Sequence, residues 1–301
     1  RRIDSYRVRN VYDKKDVVGI FKQEYTTPAL KPHDSIMLLL TPVVSLLSST
    51  VTTDTSSNTG TTSNTSTTVT TDTTDTSGTT RSSNTGTTGF DNILNLVKKY
   101  KVKKLIFASS SSVYGDVKPF PKKENSILYP LNIYSLSKLA NEDQARAYSK
   151  IMDTQIIGLR FFSIYGEWGR PDMLILKYLK AAKLKKPFEL FNYGNHYRDF
   201  TYIKDAISLV INLYKLKNKS KYEIFNICSS KPLKITKILN VINSYKIKTK
   251  ILKKPLHSAD VYKTYGDNAK IFNKIKRFNF TNYKIGVKNT IDWYLKHSSL
   301  F

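Results

Sequence analysis

Tyr134 and Lys138 stand four residues apart in the run YSLSK, and on a helix that spacing puts both side chains on one face. An ammonium beside a phenol favours the ionised phenol, which is the chemistry of a base for a hydroxyl proton. The spacing is common by itself. A surface lysine next to a partly packed tyrosine produces it equally well. Two other stretches change the balance. Ser109 and Ser110 close the apolar run VKKLIFASS and Ser111 and Ser112 follow it, and ligands of open α/β sheets bind outside the carboxyl ends of the strands. Further on, RFFSIYG (160–166) brings Ser163 to a second apolar run's end, and WGRPDM (168–173) supplies Arg170. A guanidinium fork suits a carboxylate or a phosphate.

The elements that must position these residues alternate in type. Phe90, Ile93, Leu94 and Val97 have helical spacing. Residues 102–110 read as a buried strand, and a loop with Pro119, Pro121 and Pro130 follows. The pattern then predicts a helix over 134–151, a strand over 154–166, a helix over 174–184 and a short strand and turn over 188–194. A helix over 205–214, a strand over 221–229 and a helix over 235–245 complete it. Strands and helices alternating at these lengths imply a largely parallel sheet in an α/β fold.

Composition bounds the rest. The chain has 301 residues and a formal net charge of +26, with its lysines scattered and no basic block. That pattern fits a solvated basic surface better than a nucleic-acid or membrane partner, and such a surface attracts a diphosphate. Cys228 is the single cysteine, and His33, His196, His257 and His297 lack metal-ligand spacing, so no metal site is expected. The run SIMLLLTPVVSLL is broken by Pro42 and too short to cross a bilayer; a cytoplasmic protein is expected. Residues 49–88 are nearly all Thr, Ser, Asn, Asp and Gly and are expected to be disordered, because they cannot bury enough apolar surface to offset ordering.

In this order and spacing, FASSSSVYG, YSLSK, GLRFFSIYGEWGRPDM, NYGNHYRDFTYIKD and DVYKTYGD resemble the UDP-glucuronate 4-epimerases of the NAD-dependent epimerase/dehydratase family, the extended short-chain dehydrogenase/reductases. The resemblance covers roughly 89–301. It implies a Rossmann-like parallel sheet with a smaller carboxyl-terminal substrate-binding domain, NAD as cofactor, a UDP-sugar as substrate and a homodimer. It also implies roles. Tyr134 would take the proton of the sugar 4-hydroxyl, Lys138 would assist it and hold the nicotinamide ribose, and Ser110 would bond the 4-oxygen. Ser111, Ser112 and Ser163 would form the polar cradle around the sugar carboxylate, with Arg170 nearby among the substrate-binding residues. Phe191, Arg198 and Asp260 would meet uracil, diphosphate and ribose. Phe161, Asn10 and Val11 would line the cofactor, the last two where the family has an Asp-Ile pair contacting adenine.

The family's opening GxxGxxG is not found in the first 88 residues, whose glycines are Gly19, Gly60, Gly78 and Gly86. The implied organisation is therefore 1–48 as a degraded remnant of the cofactor domain, 49–88 as the low-complexity segment, 89–166 as the catalytic half of the Rossmann domain, and 167–301 as mainly nucleotide-sugar-binding. Poor NAD binding is expected of such a chain. A catalytically impaired homologue is one alternative. Another nucleotide-sugar epimerase or dehydratase is the second, although a dehydratase would carry an acidic pair where this chain has Ser111 and Ser112.

Overall fold

The computed structural model describes residues 81–217, 220–256 and 261–298. Expectations for Asn10, Val11, Asp260 and the segment 1–80 lie outside them.

Three parallel strands form the central sheet: β1 (Lys104–Ser110), β2 (Gln155–Phe161) and β6 (Tyr222–Ile227), ordered β1-β2-β6. In β1 and β2 all five interior residues are buried, as in strands covered on both faces. Alternation sorts them. Leu105, Phe107, Ile156 and Ile224 pack under α1 (Arg81–Lys99) and α2 (Ile133–Ile151) with Phe90, Leu94, Val97 and Ala145. Ile106, Ile157, Leu159, Phe225 and Ile227 face the other way, against Leu209, Val210 and Leu213 of α4 (Ile203–Lys215) and Ile271 of α6 (Ala269–Phe272). Each fully buried side chain of this size contributes roughly 1.5–3 kcal/mol.

The helix α1 begins at Arg81, nine residues before the expected Phe90 and inside the Thr-rich segment. Once the Phe90–Val97 face is packed, adding residues at its amino end requires propagation only, which is far cheaper than nucleation.

The run 154–166, expected to be one strand, is two. At Phe162, whose N–H bonds the Ile227 carbonyl, the chain leaves the central sheet. It continues as β3 (Ser163–Tyr165), which pairs in parallel with β5 (Tyr197–Tyr202). The strand β5 pairs antiparallel with β7 (Pro232–Lys234), and β4 (Phe188–Leu190) pairs with β8 (Ile251–Lys253). A second core forms here from Tyr178 and Leu179 of α3 (Leu174–Lys183), Ile238 and Leu239 of α5 (Ile235–Ser244), and Val287 and Ile291 of α7 (Tyr283–Lys296). None of the described helices is long and apolar enough to cross a membrane.

Candidate active site

The amino end of α2 is fixed by a reciprocal cap. Asn132 Oδ1 accepts from the Ser135 N–H at 2.9 Å, and Ser135 Oγ accepts from the Asn132 N–H at 3.1 Å. Such a cap stabilises a helix by ~1 kcal/mol and sets the turn that carries Tyr134. Tyr134 is 36% exposed, whereas Lys138 one turn on is 5% exposed. The Lys138 Nζ lies 5.9 Å from the Tyr134 ring centre and donates to the Ala108 carbonyl of β1 at 2.9 Å. Burial pushes the Lys138 ammonium down to about 8, since removing a cation from water favours its neutral form.

The serine run sits where β1 ends. Ser110 caps a short 3-10 turn over Ser111–Tyr114, and its Oγ accepts from the Ser112 N–H at 3.2 Å and the Ser112 hydroxyl at 2.9 Å. Gly115 follows at φ +61, and a Cβ there would strike the Tyr129 carbonyl oxygen. The register of β1 against β2 places Ser110 opposite Phe161. Tyr134, Lys138, the serines and Phe161 thus belong to the carboxyl edge of β1 and β2 and the helix packed on it.

The substrate-binding expectations divide. Ser163, Arg170, Phe191 and Arg198 line one cavity of about 340 Å³, together with buried His196 and the apolar Leu176, Leu190 and Phe200. Ser111 and Ser112 are not on its wall; they stay with the Tyr134 group. The two groups are joined by the break at Phe162, because Phe161 is the last residue of β2 and Ser163 the first of β3.

Each cavity side chain is held by its element. Arg170 makes a two-point ion pair with Asp172, Nε to Oδ1 at 3.1 Å and Nη2 to Oδ2 at 2.6 Å. Its loop is anchored where Trp168, at φ +58, packs 5.2 Å from the Trp293 ring of α7. Phe191 opens the turn after β4, in which Asn192, Tyr193 and Gly194 all have positive φ. Arg198 Nη1 donates to the carbonyls of Tyr197 and Tyr262 at 3.0 and 3.1 Å. Asp199, the next residue of β5, is fully buried and accepts from the Ser229 N–H and hydroxyl and from the Gly266 N–H. Burial outweighs those bonds and pushes its carboxyl up to about 6.

One pair escaped the sequence reading. Glu142 and Arg160 form an ion pair at 2.7 Å with both side chains 4% exposed. Glu142 lies four residues beyond Lys138 on the same helical face, which was the available signal.

A parallel sheet covered on both faces, with a Tyr–Lys helix at its carboxyl edge and beside it a largely apolar cavity that carries two arginines, defines a Rossmann-like short-chain dehydrogenase/reductase. The model of the NAD dependent epimerase/dehydratase family matches residues 58–228, and the chain belongs to that family. An uncharacterized protein of Methanocaldococcus jannaschii is 37% identical over 210 residues, 68% of this chain and 63% of its own length. A UDP-glucuronate 4-epimerase of Thermodesulfobacterium geofontis is 33% identical over 207 residues, 67% of this chain and 62% of its length. The chain therefore spans somewhat less than two thirds of the length of these relatives. The crystal structure of the UDP-glucuronic acid 4-epimerase from Bacillus cereus, in complex with UDP-glucuronic acid and NAD, is similar at a TM-score of 0.65. It is 25% identical, and the match covers 70% of this chain and 68% of that one.

Proposed function

We propose that this chain is an NAD-dependent UDP-sugar 4-epimerase with UDP-glucuronate as its substrate. The observation that carries the reading is the pairing of exposed Tyr134 with buried Lys138 at the sheet's carboxyl edge, next to a cavity that holds Arg170 and Arg198.

The described residues fit the nicotinamide-ribose end of the cofactor. Lys138 has three donors and directs one to Ala108, which leaves two for a ribose diol. When bound, NAD supplies the acceptor for the C4 hydride and returns it. Tyr134 takes the proton of the 4-hydroxyl and gives it back to the 4-oxygen once the 4-keto sugar has turned over, so that C4 is reduced on its opposite face. The Ser110 hydroxyl bonds the 4-oxygen, and Ser111, Ser112 and Ser163 offer hydroxyls to the sugar. Arg170 binds the sugar carboxylate in place of Asp172. Arg198 binds the diphosphate, and Phe191 gives the uracil an aromatic face.

Incubating the full chain with UDP-glucuronate and saturating NAD, then separating the nucleotide sugars, tests the reading. UDP-galacturonate is the expected product. A chain that binds UDP-glucuronate and NAD by calorimetry but forms no product would refute it. Substrate choice has its own check: Arg170→Ala should weaken UDP-glucuronate at least tenfold while leaving UDP-glucose within twofold.

A further inference from the structure

Glu142 is the third residue on the face of α2 that carries Tyr134 and Lys138, since the three follow one another at four-residue steps. It is 3% exposed and fully engaged. Its Oε1 accepts from Arg160 Nε at 2.9 Å and from the Ser109 hydroxyl at 2.5 Å, and its Oε2 accepts from Arg160 Nη2 at 2.7 Å. The contacts fall on consecutive residues of β1. Ala108 takes the Lys138 ammonium, Ser109 takes Glu142, and Ser110 caps the serine turn.

The clamp is tied to the rest of the sheet. Arg160 Nη1 donates to the Tyr114 hydroxyl at 2.8 Å and to the Glu124 carbonyl at 2.9 Å. The Tyr114 hydroxyl donates to Asn226 of β6 at 2.7 Å, and the Tyr222 hydroxyl donates to the Glu142 carbonyl at 2.9 Å. Through its carboxylate and its backbone carbonyl, Glu142 thereby joins α2 to all three strands.

Stability does not by itself account for such a pair. Burying two charges costs much of what their attraction returns, and apolar side chains of similar volume commonly serve as well. What a directional pair adds is register. A helix held on a sheet by apolar contacts alone can slide or rotate by fractions of a turn, and a two-point guanidinium–carboxylate contact resists that.

We propose that Glu142 is a positioning residue: clamped by Arg160 and Ser109, it sets the register of α2 on β1 and thereby seats Lys138 on the Ala108 carbonyl beside Tyr134. The proposal rests on the reading above for the identity of the reacting pair, but its test needs no turnover.

The test is the pH dependence of Lys138 acetylation by acetic anhydride on the full chain, followed by peptide mass spectrometry. In the parent the midpoint should fall near 8, the value burial gives Lys138. The double variant Glu142→Leu/Arg160→Met keeps the volume filled and leaves no orphan charge. It should fold, with the Lys138 midpoint raised by at least one pH unit toward the ordinary 10.5. Ser109→Ala removes one arm of the clamp and should raise the midpoint by about half as much. A folded double variant with the parent's midpoint overturns the proposal, whatever happens to its melting temperature. If the double variant does not fold, Ser109→Ala decides, and an unmoved midpoint there overturns it equally. Loss of epimerisation with these midpoints as expected would count against the functional reading and not against the clamp.

Discussion

Replacing Lys138 with methionine isolates what burial does to the ammonium. The side chain keeps its length and apolar stem but loses the charge. In the folded protein the ammonium is pushed from 10.5 to about 8 because it is withdrawn from water. Between those two pH values the unfolded chain binds more protons than the folded one, so the parent gains stability as pH rises through that window. Below about 8 the buried charge costs the folded state about 3 kcal/mol, at 1.36 kcal/mol per pH unit. Methionine removes that cost and also removes the bond to the Ala108 carbonyl, which contributes ~1 kcal/mol. The variant should therefore be more stable than the parent by about 2 kcal/mol at pH 7. Above pH 10.5 the lysine is neutral in both states, only the lost bond remains, and the variant should be less stable by ~1 kcal/mol. Urea midpoints of both proteins at pH 7 and pH 11, read by circular dichroism, measure the difference at each pH. A variant less stable at pH 7, or a difference that is the same at both pH values, would refute the reasoning.

Three further outcomes follow from the site and its packing. Tyr134→Phe should lower turnover by roughly 10²–10⁴-fold, the range for loss of a positioned proton-transfer group. Its UDP-sugar affinity should stay within about twofold, because Tyr134 is not on the cavity wall; steady-state kinetics and calorimetry separate the two. Arg198→Ala should weaken UDP itself by about tenfold or more in calorimetry, as expected for a charged hydrogen bond of about 1.5–3 kcal/mol. Gly266→Ala would set a Cβ 2.5 Å from Phe162 Cζ and 2.7 Å from Cys228 Sγ. Overpacking of that kind costs about 1–3 kcal/mol, and a lowered urea midpoint with an unchanged slope is the expected result.

Much of this protein is written in short-range spacing. The four-residue step from Tyr134 to Lys138 fixes their common face in any helix, and Asn132 with Ser135 encodes the cap that starts it. The apolar run ending in Ser110 is long enough, and sufficiently uniform, to read as a buried strand. These properties depend on helix and strand periods that every chain shares.

Tertiary structure decided the rest. Nothing in RFFSIYG marks Phe162 as the point where the chain changes sheets; the partners that divide the run, Ile227 and Phe200, lie tens of residues downstream. The tyrosine-rich YRDFTY becomes β5 through its pairing with β3 and β7, not through its own alternation. Arg160 and Arg170 lie ten residues apart in sequence, on either side of Ser163. Only the fold turns Arg160 inward onto Glu142 and leaves Arg170 on the cavity wall. Local periodicity sets which face a side chain occupies, but what meets that face is set by segments brought together when the core closes, and that is why the Tyr–Lys pair was legible while its clamp was not.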